Sequence, residues 1–540
     1  MSIRVAALLT ASLSLPVASA DFDRPQYICV NKAYGVSDGW VVDDPRSFTQ
    51  ASIDEILTVF GGQRGSTQRK LCVSFNFWTL FDADAPTMLA SLDALLSLVQ
   101  ANDLPLSISL DPTQWWEARP DLWNWYDRHA DGYDPLNVAN VEWFGPSPDN
   151  ATLISWRNWG SQFRVGTPHP NFASAAFREA AAASVSPLAA RLAAWYRTLP
   201  TGKKWLLASV RATQELWIGT NYYYYDGGNA LAGQSPKRDP TGGPGGRAVQ
   251  LGYAAVCGSG SGGAGCSGSV GSALTPSQLD AVVSSFAGFA AQVLLDAGLP
   301  RSRVFVHTGT YFGGAPVCAS NCVFNSPQAA LVSAASPAWS PYGGETLAAN
   351  AVGLSEALTE LSGAAWGAAE WLPFFDGGHA QADWAAALDG TLGFLNNRLV
   401  VIQNFESIRD DANATAAVVA ALNSGLGCVV DAPTGLAAKV NASELTLHWQ
   451  PPPSVAVSSL ALLVSTLALT LPSGVLAMAN VASTSLDAGK AAYTLTLPPG
   501  LAPGEVYVQV ITLSMQGCGG PGQSFTQSAP SDVLVVPLVA

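Results

Sequence analysis

An alternation of short apolar strands with amphipathic helical stretches, repeated eight times between Asp21 and Cys428, constrains this chain more than any other feature of its sequence. Strand-like runs fall at 27–31, 70–75, 106–110, 205–211, 303–308, 337–341, 364–370 and 399–404. Helical periodicity fills 50–60, 86–101, 174–198, 276–297, 327–335, 354–361, 382–396 and 415–423. Strands that read as continuous apolar runs, each followed by a crossover helix, build a parallel sheet covered by helices. Eight such units predict an α/β fold closed into a (β/α)8 TIM barrel. An open doubly wound sheet is the alternative, but no glycine fingerprint opens a helix after the first strand. The proline-rich sixth unit is the least regular of the eight.

At 540 residues the chain exceeds one ordinary domain, and its composition breaks near Cys428. Beyond that point helical runs give way to short alternating segments separated by Pro and Gly, at 445–449, 493–497, 506–513 and 533–536. The apolar stretch 458–478 is rich in Ser and Thr and broken by Pro472, so it reads as buried strands rather than a membrane span. Ala432-Pro433 at the entry, Leu445-Thr-Leu-His-Trp449 and Tyr507-Val-Gln-Val510 give residues 429–540 a resemblance to fibronectin type III domains. That resemblance implies a β-sandwich serving as a spacer or as a docking module for a glycan or protein.

Residues 1–20 have the form of a secretory signal peptide. Arg4 supplies the positive start, residues 5–17 the apolar run, and Ala18-Ser19-Ala20 the small-residue cleavage pattern. A secreted protein beginning near Asp21 is therefore expected. Eight cysteines suit an oxidising compartment, and two pairs are local, Cys257 with Cys266 and Cys318 with Cys322. Neither pair has the CxxC or Cys/His clustering of a zinc site, so no metal or cofactor is expected. Three acceptor sequons, at Asn150, Asn413 and Asn441, fit export. The formal net charge of -14, with Lys and Arg few and scattered, argues against a nucleic-acid partner.

In a barrel of this kind the chemistry collects where the strands end. Asp111 ends strand three, Gln214-Glu215 follows strand four, Glu370 ends strand seven, and Glu406 follows strand eight. Two carboxyl groups facing each other across one mouth supply what glycosidic bond cleavage requires, one to protonate the leaving oxygen and one to attack the anomeric carbon or activate water. Strand order and the two glutamates together resemble the clan A glycoside hydrolases. By position the resemblance implies Glu215 as acid/base and Glu370 as nucleophile of a retaining mechanism. Where that family carries Asn before the acid/base, this chain has Gln214, which is able to hydrogen-bond a sugar hydroxyl.

Aromatic residues cluster after the same strands, as expected of a carbohydrate site where flat rings stack on sugar C–H faces. Trp115, Trp116, Trp217, Tyr222, Trp339 and Trp371 are the leading examples, and Phe77, Trp78 and Phe374 also follow strands. Ordinary packing accounts for half or more of such residues in a protein with 17 tryptophans. Asp111, Trp115, Gln214, Asn221, Tyr222, His307, Tyr311, Trp339, Trp371 and Glu406 are thus the candidates for substrate contact, and Arg211 for holding a glutamate ionised. A serine hydrolase is disfavoured, because no Gly-x-Ser-x-Gly elbow follows a core strand. Two rivals to a retaining hydrolase stay open: an inverting hydrolase on the same strands, and a glycan-binding protein without turnover.

Overall fold

The computed structural model describes residues 25–32, 40–66, 68–114, 116–151, 167–221, 249–258, 274–309, 323–341, 364–373, 380–393, 396–423, 434–441, 444–450, 459–465, 482–487, 491–496, 504–514, 526–530 and 534–538. These fall into two compact units, one spanning Pro25–Gly427 and one beginning at Cys428.

The first unit is a closed barrel of eight parallel strands: β1 (Gln26–Asn31), β2 (Arg69–Trp78), β3 (Leu106–Asp111), β4 (Leu207–Arg211), β5 (Val304–Thr308), β6 (Ser336–Trp339), β7 (Trp366–Trp371) and β8 (Asn397–Ile402). Each strand pairs with the next in sequence, and β1 closes the ring against β8 with Ile28 opposite Val400. The (β/α)8 architecture read from the sequence is therefore the one observed. The long helices outside it are α1 (Gln50–Val59), α2 (Ala85–Ala101), α3 (Ala175–Thr198), α4 (Pro276–Asp296), α5 (Gln381–Gly393) and α6 (Ala412–Asn423). Their starts follow local chemistry. The Asp84 side chain accepts from the Thr87 amide at 2.9 Å, and Thr275 and Gln278 form a reciprocal capping box at α4.

Side-chain alternation divides each strand between two cores. Ile28 and Val30 of β1, Leu71, Val73 and Phe75 of β2, and Leu106, Ile108 and Leu110 of β3 face outward and pack with the helices. The intervening residues turn inward. Tyr27, Cys29, Cys72, Ala208, Leu399 and Val401 form one small interior cluster, and Phe305, Ala338 and Ala369 another. Between them the lumen is polar. Ser107 and Ser209 meet at 2.6 Å, and the buried Arg211 guanidinium reaches Ser74 Oγ, Asn76 Oδ1 and the Ala369 carbonyl, each at 2.9 Å. Three strands are thereby tied through one side chain whose burial is satisfied by acceptors.

Cys29 and Cys72, cross-strand partners on β1 and β2, form a disulfide inside the barrel. The bond closes a separation of 43 residues, which corresponds to about 4 kcal/mol in chain-entropy terms. Cys257 is also disulfide-bonded. The expected pairings of Cys257 with Cys266 and of Cys318 with Cys322 involve residues outside the described set.

The connection into β6 departs from the expected pattern: among its described residues a 3-10 turn, Pro327–Ala330, stands where a helix over 327–335 is expected. After Ala330 the chain turns again, the Val332 amide donating to the Ala330 carbonyl at 2.9 Å, before the four-residue β6 begins at Ser336. In the fourth unit a 3-10 helix, Thr201–Leu206, occupies the first part of the expected strand. The helical run expected at 354–361 lies outside the described residues, as do residues 1–24. α4 is long and apolar enough to cross a membrane by length and composition. Its Leu279, Val283, Phe286 and Leu294 are buried in the core that surrounds the barrel.

The second unit is all-β, as expected of the tail. One antiparallel sheet joins β9 (Thr434–Asn441), β10 (Glu444–Gln450) and β13 (Ala492–Thr496); the other joins β11 (Ser459–Ser465), β12 (Ala482–Asp487), β14 (Gly504–Ser514), β15 (Thr526–Pro530) and β16 (Leu534–Leu538). β10 buries Leu445, Leu447 and Trp449 on one face and exposes the residues between them, the period-two pattern that first marked it as a strand. Of the stretch 458–478, residues 459–465 are strand β11 and 466–478 are not described.

Candidate active site

β4 ends in an irregular segment that continues along β5 without regular pairing. Ala212 donates its amide to the Phe305 carbonyl at 2.8 Å, and Leu216 donates to the His307 carbonyl at 2.9 Å. Between them the Thr213 hydroxyl donates to the His307 carbonyl at 3.0 Å and accepts from the His307 amide at 3.1 Å. So clamped, the chain turns through Glu215 at φ 47°, a left-handed conformation that costs a non-glycine residue roughly 1 kcal/mol or more. The strain is sustained by the bonds on either side, and it sets where the half-buried Glu215 side chain leaves the backbone.

Glu370 is positioned by a different device. Along β7, Ala368 is opposite Val400 and Trp371 opposite Ile402, so three steps on β7 are matched to two on β8. This bulge breaks the strict alternation. Ala369 packs in the interior with Phe305 and Ala338, Glu370 turns toward the ends of β4 and β6, and Trp371 returns to the outer face. Glu370 is 5% exposed. Its Oε1 accepts a short hydrogen bond from Gln214 Nε2, and its Oε2 accepts from Ser340 Oγ at 3.2 Å. Ser340, directly after β6, also meets His307 Nε2 at 2.6 Å, while His307 Nδ1 accepts the Glu215 amide at 3.1 Å. Gln214, Glu215, His307 and Glu370 are thus brought into one hydrogen-bonded cluster. Among the described residues no donor reaches Gln214 Oε1, which is buried in the same cluster.

The other candidates are placed differently. Asp111 is fully buried and spent on its own turn: Oδ1 accepts from the Thr113 amide at 3.0 Å and hydroxyl at 2.7 Å, and Oδ2 from the Gln114 amide at 3.3 Å. Burial pushes its pKa up to about 6, against the pull of these donors. Gln114 in turn donates to the Gln214 carbonyl at 2.7 Å, which links the β3 turn to the cluster. Glu406 lies 3.6 Å from the buried Lys32 ammonium, which also meets Glu55 at 3.3 Å and sits over the Phe405 ring at 4.7 Å. Asn221 lies in a two-residue ribbon with Val249–Gln250. Trp115, Tyr222 and Tyr311 are outside the described residues.

Trp339 and Trp371, expected to face substrate, are buried on the outer face of the sheet. Trp339 Nε1 donates to the Pro327 carbonyl at 3.1 Å, and Trp371 Nε1 to Thr391 of α5 at 2.8 Å. Alternation explains both. A strand that turns Ala338 inward turns Trp339 out, and the β7 bulge that admits Glu370 sends its neighbour Trp371 out. Trp116 and Trp217 are likewise buried, at 1% and 2% exposure. Among the described residues no group of three or more His, Cys, Asp or Glu is arranged to hold a metal ion.

Two residues of consequence went unread in the sequence. Ser340 carries no motif, and its only signal is its place immediately after a strand. Glu142, in the long β3–α3 connection, is fully buried, and its carboxylate accepts from the amides of Gly252, Ala254 and Ala255 at 2.9, 3.1 and 3.2 Å. It thereby fastens the connection after β3 to that after β4. Burial pushes its pKa up to about 7, against the three amides that pull it down.

A native carboxyl that keeps its proton to about pH 7, where an unfolded one releases it near 4.5, makes the folded state bind more protons across that interval. Stability therefore falls as pH rises from about 4.5 to about 7, by on the order of 3 kcal/mol from this group. Glu142→Gln gives up one acceptor and lowers stability overall, but it removes this share of the slope. Urea unfolding of both proteins at pH 5 and pH 8 measures it, and equal slopes exclude the effect.

These elements define a (β/α)8 barrel with a hydrogen-bonded glutamate at the end of β7 and a second glutamate after β4, followed by a unit of two antiparallel sheets. No family model and no curated protein matches the sequence. Its fold neighbours among solved structures include a modular endo-β-1,4-mannanase of glycoside hydrolase family 26 from Cellulomonas fimi, 11% identical over 94% of each chain with a TM-score of 0.30. Another is xylanase B from Clostridium stercorarium F9, 8% identical over 73% of this chain and 96% of that one, TM-score 0.30. The fibronectin type III domain of human contactin 1 matches 20% of this chain and 76% of its own length at 19% identity, TM-score 0.15.

Proposed function

We propose that this protein is a glycoside hydrolase that cleaves O-glycosidic bonds with retention, Glu370 serving as nucleophile and Glu215 as acid/base. The observation that carries the reading is the pair of donors on Glu370. A carboxylate that accepts Gln214 on one oxygen and Ser340 on the other is fixed in orientation, as attack on an anomeric carbon requires. Glu215, half-buried on the segment after β4, protonates the departing oxygen and then activates water against the glycosyl-enzyme. Gln214 Oε1, which no donor reaches among the described residues, supports a substrate hydroxyl in that place. Asn221, Tyr222, Trp115 and Tyr311, on connections after the strands, complete the proposed sugar-contacting set.

The Cys29–Cys72 disulfide favours an oxidising compartment and so supports the reading of residues 1–20 as an export signal. The tail, residues 429–540, serves in this account as an accessory module.

Turnover of a panel of aryl glycosides, with the anomeric configuration of the first product followed by NMR, tests the function. Retention is expected. First-formed product of inverted configuration assigns Glu370 to general-base rather than nucleophilic work, and a sugar complex with carboxyl groups about 6.5–9.5 Å apart, rather than about 5–5.5 Å, marks the same correction. Glycan binding without turnover on any member of the panel replaces the enzyme by a binding protein.

A further inference from the structure

We infer that His307 and Ser340 act as positioning residues that set the direction of a proton chain from the Glu215 backbone to the Glu370 carboxylate. The inference rests on the reading of Glu370 as the nucleophile and adds how its geometry is fixed.

The direction of every bond follows from one group that cannot reverse. A backbone amide only donates, so the Glu215 N–H at 3.1 Å requires a lone pair on His307 Nδ1. A neutral imidazole with Nδ1 unprotonated carries its proton on Nε2, and that N–H therefore donates to Ser340 Oγ at 2.6 Å. The serine hydroxyl, having accepted from the imidazole, turns its single proton to Glu370 Oε2 at 3.2 Å, which accepts it. His307 is fully buried and Ser340 is 7% exposed, so water does not readily substitute for either partner. His307 is itself fixed by Thr213, which brackets its backbone on both sides.

The arrangement couples two positions. The same imidazole that receives the amide of the strained Glu215 holds, through Ser340, the carboxylate on β7. A change in the His307 tautomer therefore disturbs the two proposed functional glutamates together. When Glu370 attacks, its charge is consumed and the Ser340 bond weakens; when the glycosyl-enzyme breaks down the charge returns, and the hydroxyl is already in place to receive it.

The test uses the full chain and two readouts. In protein labelled with 15N at histidine, two-bond correlations identify the ring that disappears in His307→Asn. Nε2 protonated and Nδ1 unprotonated is expected for it at neutral pH, with the Nε2 signal displaced in Ser340→Ala. An Nδ1-protonated ring, or a His307 signal indifferent to Ser340→Ala, overturns the inference whether or not the protein turns over a glycoside.

With an aryl glycoside, Ser340→Ala is expected to lower kcat about tenfold, the size of one hydrogen bond to a charged group, with KM within about twofold. Ser340→Thr, which keeps the hydroxyl, restores most of the loss, as a merely structural defect would not. Unchanged kcat in a folded Ser340→Ala protein, with Glu370→Ala inactive, defeats the positioning role and leaves the nucleophile assignment standing. Full activity in Glu370→Ala defeats the nucleophile assignment and with it the role proposed here.

Discussion

Glu370→Ala is expected to abolish turnover of every glycoside, including those with activated aryl leaving groups. A retaining mechanism cannot form its covalent intermediate without the nucleophile, and removal of a nucleophile from such a unit costs on the order of 10^4-fold or more in kcat. Removal of the carboxylate leaves the buried Gln214 and Ser340 without their acceptor, so some stability is lost, and the fold of the variant is part of the measurement. Steady-state rates on one natural and one activated substrate, with circular dichroism to verify the fold, decide the matter. Near-normal turnover in this variant, coupled to loss in Glu406→Ala or Asp111→Ala, moves the nucleophile to another strand. The structure makes that outcome demanding, since Glu406 is held against Lys32 and Asp111 is enclosed by Thr113 and Gln114.

Glu215→Ala should separate substrates that Glu370→Ala does not. Protonation of the departing oxygen matters when that oxygen leaves as a poor anion, so natural glycosides are expected to slow by about 10^2- to 10^4-fold. An activated aryl glycoside needs no such help in the first step, and glycosyl-enzyme accumulates because no base activates water for the second. Added azide attacks without a base and restores turnover, and the product is a glycosyl azide of retained configuration. Absence of rescue, with both substrates slowed equally, removes Glu215 from the acid/base role. The left-handed backbone at Glu215 gives a further contrast. Glu215→Gly, which adopts φ 47° without steric cost, should share the catalytic defect while its fold is at least as stable as that of the alanine variant.

Much of the barrel was legible in the chain because each short strand must carry apolar residues on the face that meets the helices, and crossover helices must be amphipathic. Those two periodicities locate units whatever their neighbours. The expected strand at 399–404 and the observed β8, Asn397–Ile402, differ only at their ends. Failure came where local signals were weakest. The segment before β6 reads as a helix in composition, but it forms a 3-10 turn at Pro327–Ala330 and turns again before Ser336. The tryptophans that follow strands were legible as a cluster but not as to side. Trp339 and Trp371 face the helices, because the side chosen by each strand residue depends on register and bulges, which are properties of pairs of strands.

The sequence by itself determined the number of barrel strands, the change to an all-β tail near Cys428, and the presence of glutamates after strands four and seven. Each is a matter of residue type and spacing along one chain. Only the tertiary structure decided that Glu370 is turned inward by a bulge, that Gln214 and Ser340 hold its two oxygens, and that His307 joins Ser340 to the Glu215 amide. Those residues come from four different strand ends separated by up to 156 positions, and nothing local in the chain records their meeting. It is imposed by closure of the barrel, which carries every strand end to one rim.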